Sequence, residues 1–403
     1  MQTMITVEEA DRLIRENVGV YPAVDVPFSD ISGRVLRRDI TADRDLPPYN
    51  RVTMDGIALA YAAWETGRRD FPIAGMVKAG EPPLELTEPT QCVEIMTGAV
   101  LPESCDCVVP VEDITITDGV ATVGSDVHLT HMHNIHPQGS DSQRGDCLVK
   151  AGVRLLSPRV AMPASTGDAM VTVDKQPRIA LIATGDELRN IEDEVLPHQI
   201  RQTNTHAIRA ALCNAGYNDV ALHHFPDVRE VLIDGLSRIL AENEVIILSG
   251  GVSMGKFDLV PGVLEELGVE GIFHKIRQRP GKPLWFGIGG DGQAVYGLPG
   301  NPVSALVSFQ RYIMPQLEHS AGLEAEPPGC AVLAEDFKFT KALTYLLPVQ
   351  LSFNADGQLL AIPVPLNGSG DFAGLVPSDG FVELPADQDF FPAGTIAKLY
   401  RWK

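Results

Sequence analysis

The sequence predicts a multidomain α/β protein whose central domain has three layers, with helices on both faces of a parallel sheet. The chain has 403 residues, which is too long for a domain with a single hydrophobic core, so several domains are expected. From Arg178 onward, apolar runs of strand length alternate with amphipathic segments of helix length, the pattern of a parallel sheet. Segments with β-type runs and little helical periodicity lie on both sides of that region.

The N-terminal part of the chain is predicted to contain one helix and two small β domains. Thr6-Val-Glu-Glu9 has the pattern of a capping box and precedes apolar residues at helical spacing, so a helix begins there. Residues 46–146 are punctuated by prolines between short β-type runs, and predict a mostly β insert domain. Residues 1–45 and 147–173 are predicted to hold the helix and a linking β domain.

The remaining residues are predicted to form two further domains. Residues 174–323 form the α/β domain, whose elements in order are the strand RIALIAT, the helix TNTHAIRAALCNAG, the strand VALHHF, the helix VREVLIDGLSRILAE, the strand VIILSGG, the helix LVPGVLEELG, the strands LWFGIG and AVYGLPG, and the helix PVSALVSFQRYIMPQLEHSAG. Residues 324–403 contain five strand-like runs, and predict a small C-terminal domain like a β-barrel.

Composition and charge exclude several classes of function. With 32 Lys+Arg and 53 Asp+Glu the net charge is -21, which argues against non-specific nucleic-acid binding. Any site for an anionic ligand must therefore be a local region of positive charge or backbone amides within a protein that is negatively charged overall. The six cysteines form no C-x-x-C pair and predict reduced thiols. Without a signal-peptide pattern or a run of membrane-spanning length, we expect a cytoplasmic protein with no membrane partner.

Three unusual loops follow strands of the predicted sheet. Ligands of open parallel sheets bind beyond the carboxyl ends of the strands, where glycines allow close approach and backbone amides hold phosphate. Ordinary turn glycines would look the same in any one loop, but three together favour a site for an anionic ligand. Their spacing matches neither a Walker A nor a Rossmann motif. The loop residues predicted to bind this ligand are Thr184, Gly185 and Asp186; Ser249, Gly250, Gly251, Ser253 and Gly255; and Pro299, Gly300, Asn301, Pro302 and Ser304.

Carboxylates and cations are expected near the same loops. Glu187, Asp227 and Asp258 follow predicted strands, and such oxygen ligands beside a phosphate site suggest Mg²⁺. The alternative for Asp227, as for Asp186, is that the side chain caps a helix. The segment HKIRQRPGKP supplies cations that could face one ligand, although a solvated strand rim would look similar; they are Lys275, Arg277, Arg279 and Lys282.

Seven motifs in order resemble the molybdopterin molybdenumtransferase family, known as MoeA in bacteria and as the gephyrin E domain in animals. They are DLPPYNRVTMDGIA, IMTGAVLPESCDCVVPVED, NIHPQGSDSQRGD, TGDEL, SGGVSMGKFD, RPGKP and GLPGNPVSAL, and together they span about residues 46–305.

The resemblance implies a reaction and its participants. The family takes adenylylated molybdopterin and molybdate, cleaves the pyrophosphate with Mg²⁺, and releases AMP and molybdenum cofactor. It implies that Glu187, Asp227 and Asp258 hold Mg²⁺ and that Lys275, Arg279 and Lys282 offset the charge of phosphate or molybdate. It also implies an elongated homodimer in which the partner's insert domain completes the cleft. The residues opposite the metal ligands would then be Asp55, Thr97 and Asp141. Molybdopterin adenylyltransferase would act upstream, and apo-molybdoenzymes would receive the product.

Departures from the family pattern leave a second function open. Arg51 adds a cation to the first motif, Gln202 stands where the family has a carboxylate, and the tail lacks a common Arg before TYLLPVQLSF. A catalytically diverged paralogue that binds molybdopterin or acts as a scaffold is therefore the alternative. The adenylyltransferase of the same pathway is disfavoured, because that small domain has neither the insert nor the β tail.

Two clusters favour structural roles. HLTHMHNIH places His128, His131, His133 and His136 within nine residues, but we expect no nearby Cys or carboxylate to complete a tetrahedral zinc site. We interpret it as a solvated cluster, and Cys105 and Cys107 as core thiols on one strand face.

Overall fold

The computed structural model describes residues 1–252, 259–325 and 327–402. Three residues of the predicted site, Ser253, Gly255 and Asp258, lie outside the described residues. Contacts divide the chain into two compact units. Unit 1 comprises Met1–Arg37, Gly152–Leu156 and Thr172–Lys403, and unit 2 comprises Arg38–Ala151 and Ser157–Val171.

The secondary structure of the described residues mixes short helices with many strands. The helices are α1 (Val7–Asn17), α2 (Tyr61–Glu65), α3 (Ser157–Thr166), α4 (Asn204–Asn214), α5 (Arg229–Glu242), α6 (Val260–Glu266), α7 (Pro302–Ser308), α8 (Met314–Ser320) and α9 (Phe372–Leu375). The strands are β1 (Gln2–Ile5), β2 (Ala23–Pro27), β3 (Ile40–Thr41), β4 (Arg51–Val52), β5 (Gly56–Leu59), β6 (Asp70–Val77), β7 (Cys92–Ile95), β8 (Cys107–Pro110), β9 (Ile114–Thr117), β10 (Val120–Val123), β11 (Ile135–His136), β12 (Cys147–Val149), β13 (Met170–Asp174), β14 (Ile179–Thr184), β15 (Leu188–Arg189), β16 (Ile200–Arg201), β17 (Val220–Phe225), β18 (Val245–Ser249), β19 (Glu270–Ile276), β20 (Gln278–Arg279), β21 (Trp285–Ile288), β22 (Ala294–Leu298), β23 (Cys330–Leu333), β24 (Phe337–Lys338), β25 (Thr344–Phe353), β26 (Leu359–Pro363), β27 (Gly380–Leu384), β28 (Phe390–Phe391) and β29 (Ile396–Arg401).

A seven-stranded sheet with the order β1-β19-β21-β22-β18-β14-β17 forms the centre of unit 1. The predicted parallel sheet has one exception, because β21 runs antiparallel to both neighbours. Residues 289–293 join β21 to β22, and a connection that short makes a hairpin, whereas parallel neighbours need a crossover of a dozen residues or more. The N-terminal strand β1 extends the edge of the sheet by pairing in parallel with β19.

Helices pack on both faces of this sheet. Alternate residues of each strand point to opposite faces, so Leu181 and Ile247 pack beneath α1, α4, α7 and α8, whereas Ile182 and Leu248 pack against α5 and α6. The helix α1 begins as predicted, because the hydroxyl oxygen of Thr6 accepts a hydrogen bond from Glu9 N at 3.2 Å. These contacts give the α/β region a continuous hydrophobic core on each side.

The C-terminal strands close into a barrel within unit 1. The order β25-β26-β23-β29-β27 returns to β25 through an additional pairing, and β20 attaches to β25. Arg311, in the π-helical turn between α7 and α8, is buried between the two parts of the unit: it makes a bidentate ion pair with Asp11 of α1 and bonds Glu383 of β27 at 2.6 Å. The barrel is therefore tied directly to the α/β region.

Unit 2 is built on a six-stranded sheet with the order β8-β5-β7-β6-β10-β9. Its two faces carry separate hydrophobic cores, one around Val93 and Val108 and the other around Phe71 and Trp64. The short strand β4 pairs with β11 and lies beside this sheet. Among the described residues, no helix combines the length and apolar character that crossing a membrane requires.

Candidate functional site

The three predicted loops begin at one edge of the seven-stranded sheet. They follow β14, β18 and β22, which are adjacent and parallel, so their carboxyl ends point the same way. In the register of the sheet, Ser249 lies between Ala183 and Leu298. The prediction that these strand ends meet at one edge is confirmed.

Close backbone contacts join the loops to one another. Gly250 has φ +101, and a Cβ on it would lie 2.6 Å from the carbonyl oxygen of Thr184. Gly251 has φ +64, and its Cβ would lie 2.8 Å from the hydroxyl oxygen of Thr184. Only glycine combines these dihedral angles with this spacing. Asn204, at the start of α4, donates hydrogen bonds of 2.8 Å to Ser249 Oγ and to the carbonyl oxygen of Gly300.

Several side chains at this edge are buried and polar. Thr184, Ser249 and Ser304 are each at most 5% exposed. The hydroxyl of Thr184 has no hydrogen-bond partner within the described ranges. A buried hydroxyl without a partner is costly, and at a strand end it is suited to a ligand.

The described carboxylates lie on the neighbouring strand ends β14 and β17. Asp227 N donates to Asp186 Oδ1 at 3.2 Å, which joins the two loops. The Glu187 carboxylate folds over Gly185, where a Cβ would lie 2.7 Å from Glu187 Oε2. His224 Nε2 contacts the carbonyl oxygen of Gly185 at 3.1 Å and holds the same loop.

Neither Asp186 nor Asp227 is the N-cap residue of a helix. The N-cap residue of α5 is Val228, with no side-chain cap, and β15 rather than a helix follows the loop of Asp186. Within residues 1–252, 259–325 and 327–402, no three His, Cys, Asp or Glu side chains form a group that could hold a metal ion. Asp258, the third predicted metal ligand, lies outside those ranges.

A cavity of about 560 Å³ opens beside the third loop, between Pro299–Ser304 and the barrel. Arg279 and Lys282 line it as predicted cations, and Lys341 of the barrel adds a third that was missed. Its position three residues before β25 gave no signal, because only the barrel fold brings it there. No carboxylate is among the described residues that line this cavity. The lining is therefore suited to an anion.

The loop Asn367–Ser369 forms another wall of the cavity. Asp371 accepts hydrogen bonds from Asn367 N, Asn367 Nδ2 and Gly374 N at 2.9–3.1 Å, and these bonds lower the pKa of its carboxyl. Asn301 Nδ2 donates to Ser369 Oγ at 2.9 Å and connects the third sheet loop to this barrel loop. The sequence gives no local signal for this contact, because Asn301 and Ser369 lie 68 positions apart in the chain.

Lys275 and Arg277 are placed differently from Arg279 and Lys282, because neither of them lines the cavity. The φ of Lys275 is +75, which is uncommon for a residue with a side chain. Lys275 N donates to the carbonyl oxygen of Leu284 at 2.9 Å. This backbone conformation lies within β19, one residue before its end at Ile276.

In unit 2, Asp55 and Thr97 are directly bonded. Thr97 N and Thr97 Oγ1 donate to Asp55 Oδ1 at 2.7 and 2.8 Å, and these two bonds lower the pKa of the Asp55 carboxyl. The aspartate therefore remains ionised at neutral pH.

Asp141 is connected to the same part of unit 2 through the short strands β4 and β11. Val52 of β4 bonds residues Gly98 and Ala99 on one side, whereas β4 pairs with β11 on the other. His136 Nε2 lies 2.7 Å from Asp141 Oδ1, and Arg51 Nη2 lies 3.0 Å from His136 Nδ1. The segments that carry Asp55, Thr97 and Asp141 thus converge on β4.

The histidine and cysteine clusters have local partners. His131 Nε2 lies 3.6 Å from Asp106, so a carboxylate does stand near the cluster, although not as part of a set of three among the described residues. Cys105 and Cys107 are buried, as predicted for core thiols, and burial raises the pKa of each to about 12. The prediction that they share one strand face is wrong, because Cys105 precedes β8 and packs in the core around Val93, whereas Cys107 packs in the core around Phe71. Such thiols remain protonated and unreactive.

Comparisons with known proteins agree along the whole chain. Family models match residues 5–167 (MoeA N-terminal region, domains I and II), 180–319 (probable molybdopterin binding domain) and 330–402 (MoeA C-terminal region, domain IV). Proteins named molybdopterin molybdenumtransferase are similar: that of Synechocystis sp. is 39% identical over 99% of this chain and 100% of its own length, and that of Bacillus subtilis is 30% identical over 99% and 94%.

A solved structure gives the same result. The molybdopterin biosynthesis MoeA protein from Pyrococcus horikoshii aligns with a TM-score of 0.82 and 29% identity over 99% of both chains. Identity and structure together cover both units and the barrel. The chain belongs to the molybdopterin molybdenumtransferase (MoeA) family.

Proposed function

We propose that the protein is a molybdopterin molybdenumtransferase that inserts molybdenum from molybdate into adenylylated molybdopterin and releases AMP, in molybdenum cofactor biosynthesis. The observation that carries this proposal is the meeting of three amide-rich loops at one sheet edge, beside a cavity lined by cations. An adenylylated pterin phosphate is a long anion, and molybdate is a second, compact one. The edge and the cavity offer a place for each.

The cavity is the proposed site of the oxyanion. Arg279, Lys282 and Lys341 supply positive charge in a protein whose overall charge is -21. Because like charges repel an anion elsewhere on the surface, local cations determine where it binds. Lys275 is proposed to act on the anion from outside the lining.

The sheet edge is the proposed site of the nucleotide and pterin phosphate. Thr184, Gly185, Asp186, Ser249, Gly250 and Gly251 would bind it together with Ser253 and Gly255, and Pro299–Pro302 with Ser304 would complete the contact. Glycines at this edge leave room for phosphate oxygens to reach backbone amides.

Mg²⁺ is proposed to bind at the carboxylates of the same edge. Magnesium sites commonly use one or two protein carboxylates plus substrate phosphate, so Glu187 and Asp227, with Asp258 as a third candidate, fit this ion. Bound there, it would supply Lewis-acid neutralisation of the phosphoryl oxygens. The chain itself aligns the pyrophosphate and brings the molybdate close, because phosphoryl transfer depends mainly on positioning and charge. An oxygen of molybdate is proposed to attack the phosphorus on the pterin side of the pyrophosphate, so that the new O–P bond replaces the P–O–P bond and AMP leaves with the bridging oxygen.

Unit 2 is proposed to act across a homodimer. Asp55, Thr97 and Asp141 of one subunit would face the sheet edge of the partner subunit. We further propose the four domains 1–45 with 147–173, 46–146, 174–323 and 324–403, a cytoplasmic location, molybdopterin adenylyltransferase as the supplier and apo-molybdoenzymes as the recipients.

The test is release of AMP from adenylylated molybdopterin with Mg²⁺ and molybdate, followed by activation of an apo-molybdoenzyme. We expect molybdate-dependent AMP release. In Lys282→Met/Lys341→Met the molybdate concentration for half-maximal rate should rise about tenfold or more, because each lost charge weakens anion binding by about 1 kcal/mol. Lys338→Met, at an exposed position of β24, is the matched control. A wild-type protein that releases no AMP at any molybdate concentration would support the diverged, scaffold alternative instead.

A further inference from the structure

A line of side chains in unit 2 runs from Arg51 through His136 to Asp141. We propose that Arg51 and His136 are positioning residues that fix the Asp141 carboxylate for the reaction. This inference rests on the proposed function, in which Asp141 faces the substrate.

The backbone places the two positioning residues opposite each other. Arg51 of β4 and His136 of β11 are direct partners in an antiparallel pair, so their side chains leave the same face. Arg51 Nη2 lies 3.0 Å from His136 Nδ1, and His136 Nε2 lies 2.7 Å from Asp141 Oδ1. Both distances are those of hydrogen bonds.

The chemistry of the three groups sets the direction of these bonds. A guanidinium has donors but no acceptor, so Nδ1 of His136 must accept. The ring proton then lies on Nε2 and is donated to the carboxylate. Arg51 thus selects the tautomer of His136, just as a carboxylate or backbone carbonyl fixes the tautomer of a histidine in metal sites. The imidazole of His136 in turn orients the Asp141 carboxylate.

Asp141 requires such an anchor because its side chain is 55% exposed. Its backbone is already fixed: Asp141 N donates to the carbonyl oxygen of Leu46 at 2.9 Å, and Gly139 N donates to that of Pro47 at 3.0 Å. An exposed carboxylate on a fixed backbone still samples several rotamers. The hydrogen bond to His136 restricts the rotamers of Asp141. It involves Oδ1 of the carboxylate and not Oδ2.

Two amide substitutions of different reach test the role of His136. His136→Gln carries an N–H near the position of Nε2, whereas the amide of His136→Asn ends near Nδ1 and does not reach Asp141. We expect His136→Gln to keep kcat for AMP release within about threefold. We expect His136→Asn to lower kcat about tenfold, the effect of losing one hydrogen bond to a charged group, with KM little changed. His128→Asn, at an exposed histidine of the same unit, should match the wild-type protein.

Nitrogen NMR of the full chain with ¹⁵N-labelled histidine tests the role of Arg51. The signal that His136→Gln removes should show a protonated Nε2 and an unprotonated Nδ1. In Arg51→Met this preference should weaken, and kcat should fall about twofold to threefold because Asp141 loses its oriented donor in part of the population.

The outcomes separate this inference from the proposed function. A wild-type protein that releases no AMP would overturn the proposed function and, with it, the catalytic purpose of the line. An active protein in which His136→Asn equals His136→Gln, or in which Nδ1 carries the ring proton, would overturn the inference alone. Circular dichroism of both amide variants excludes misfolding as the cause of a difference.

Discussion

The sheet edge of unit 1 and the β4 region of unit 2 both carry predicted site residues, but they hold them by different means. At the sheet edge, Gly250 and Gly251 have positive φ and no room for a Cβ, so the backbone itself makes the surface. Beside β4, Asp55 and Asp141 are held by hydrogen bonds from side chains, together with Thr97 N.

This difference indicates different tasks and different sensitivities. A backbone surface suits a long anion that needs several amides at once, whereas hydrogen-bonded carboxylates can be tuned one at a time. Added bulk should therefore damage the sheet edge most, and loss of one donor should damage the β4 region moderately.

The largest effect is expected for Gly250→Ala. The new Cβ would require an unfavourable φ and would lie 2.6 Å from a backbone oxygen of Thr184, so the loop must move. We expect kcat/KM for AMP release to fall more than about 100-fold, since shifts of about 1 Å in a site have that consequence. Gly290→Ala is the control, because its Cβ would meet nothing within 4 Å. Equal activity of the two variants would show that the edge is not built by its backbone.

Glu187→Gln is expected to come next. The amide keeps the size of the side chain but removes the charge that would hold Mg²⁺, so AMP release should fall about 30-fold at low Mg²⁺ and recover partly at high Mg²⁺. Titration of activity with Mg²⁺ measures this. Glu192→Gln, on the exposed segment after β15, should titrate like the wild-type protein. A Glu187→Gln curve that overlays the wild-type curve would exclude Glu187 from the metal site.

A moderate effect is expected for Thr97→Val. The hydroxyl donor to Asp55 is lost but the larger contribution, from Thr97 N, remains, so the pKa of Asp55 should rise part of the way to its ordinary value. Because the pKa of Asp55 is lowered in the folded protein, its hydrogen bonds stabilise the folded state at neutral pH. This stabilisation is lost as the pH falls through the pKa of Asp55 in the folded protein. In Thr97→Val the loss begins at a higher pH.

The measurement is carboxyl ¹³C NMR of Asp55 against pH, with Thr97→Ser as the control that keeps the donor. AMP release at neutral pH should fall about threefold, less than the full effect of losing a hydrogen bond to a charged group, because Thr97 N still donates to Asp55. An unchanged titration curve in Thr97→Val would show that the hydroxyl does not act on Asp55.

The smallest effect is expected for the stability of Lys275 variants. Two substitutions at this position distinguish the contribution of the backbone conformation from that of the side chain. Lys275→Gly relieves the positive φ and Lys275→Ala retains it, so the glycine variant should be more stable by about 1 kcal/mol. Denaturant titration measures the difference. If both variants lose AMP release equally, the side chain acts on the anion; full activity in both would limit Lys275 to a backbone role.

Much of the α/β region was predictable because its signals are local. RIALIAT is followed directly by Gly185 and VIILSGG ends in glycine, and these apolar runs form β14 and β18 with their loops at one edge. The antiparallel β21 was missed because an apolar run has no direction; only the five-residue connection to β22 determines it. Lys341 and the partners of Ser369 were missed because their neighbours lie far away along the chain.

The sequence by itself determined which strand ends carry glycines, carboxylates and cations, because turn chemistry and periodicity are properties of adjacent residues. The tertiary structure alone decided which of these groups meet. Barrel closure brings Lys341 to Arg279 and Lys282, and the pairing of β4 with β11 brings Arg51 to His136. Such contacts join residues far apart along the chain, and no local pattern encodes the partner of a side chain.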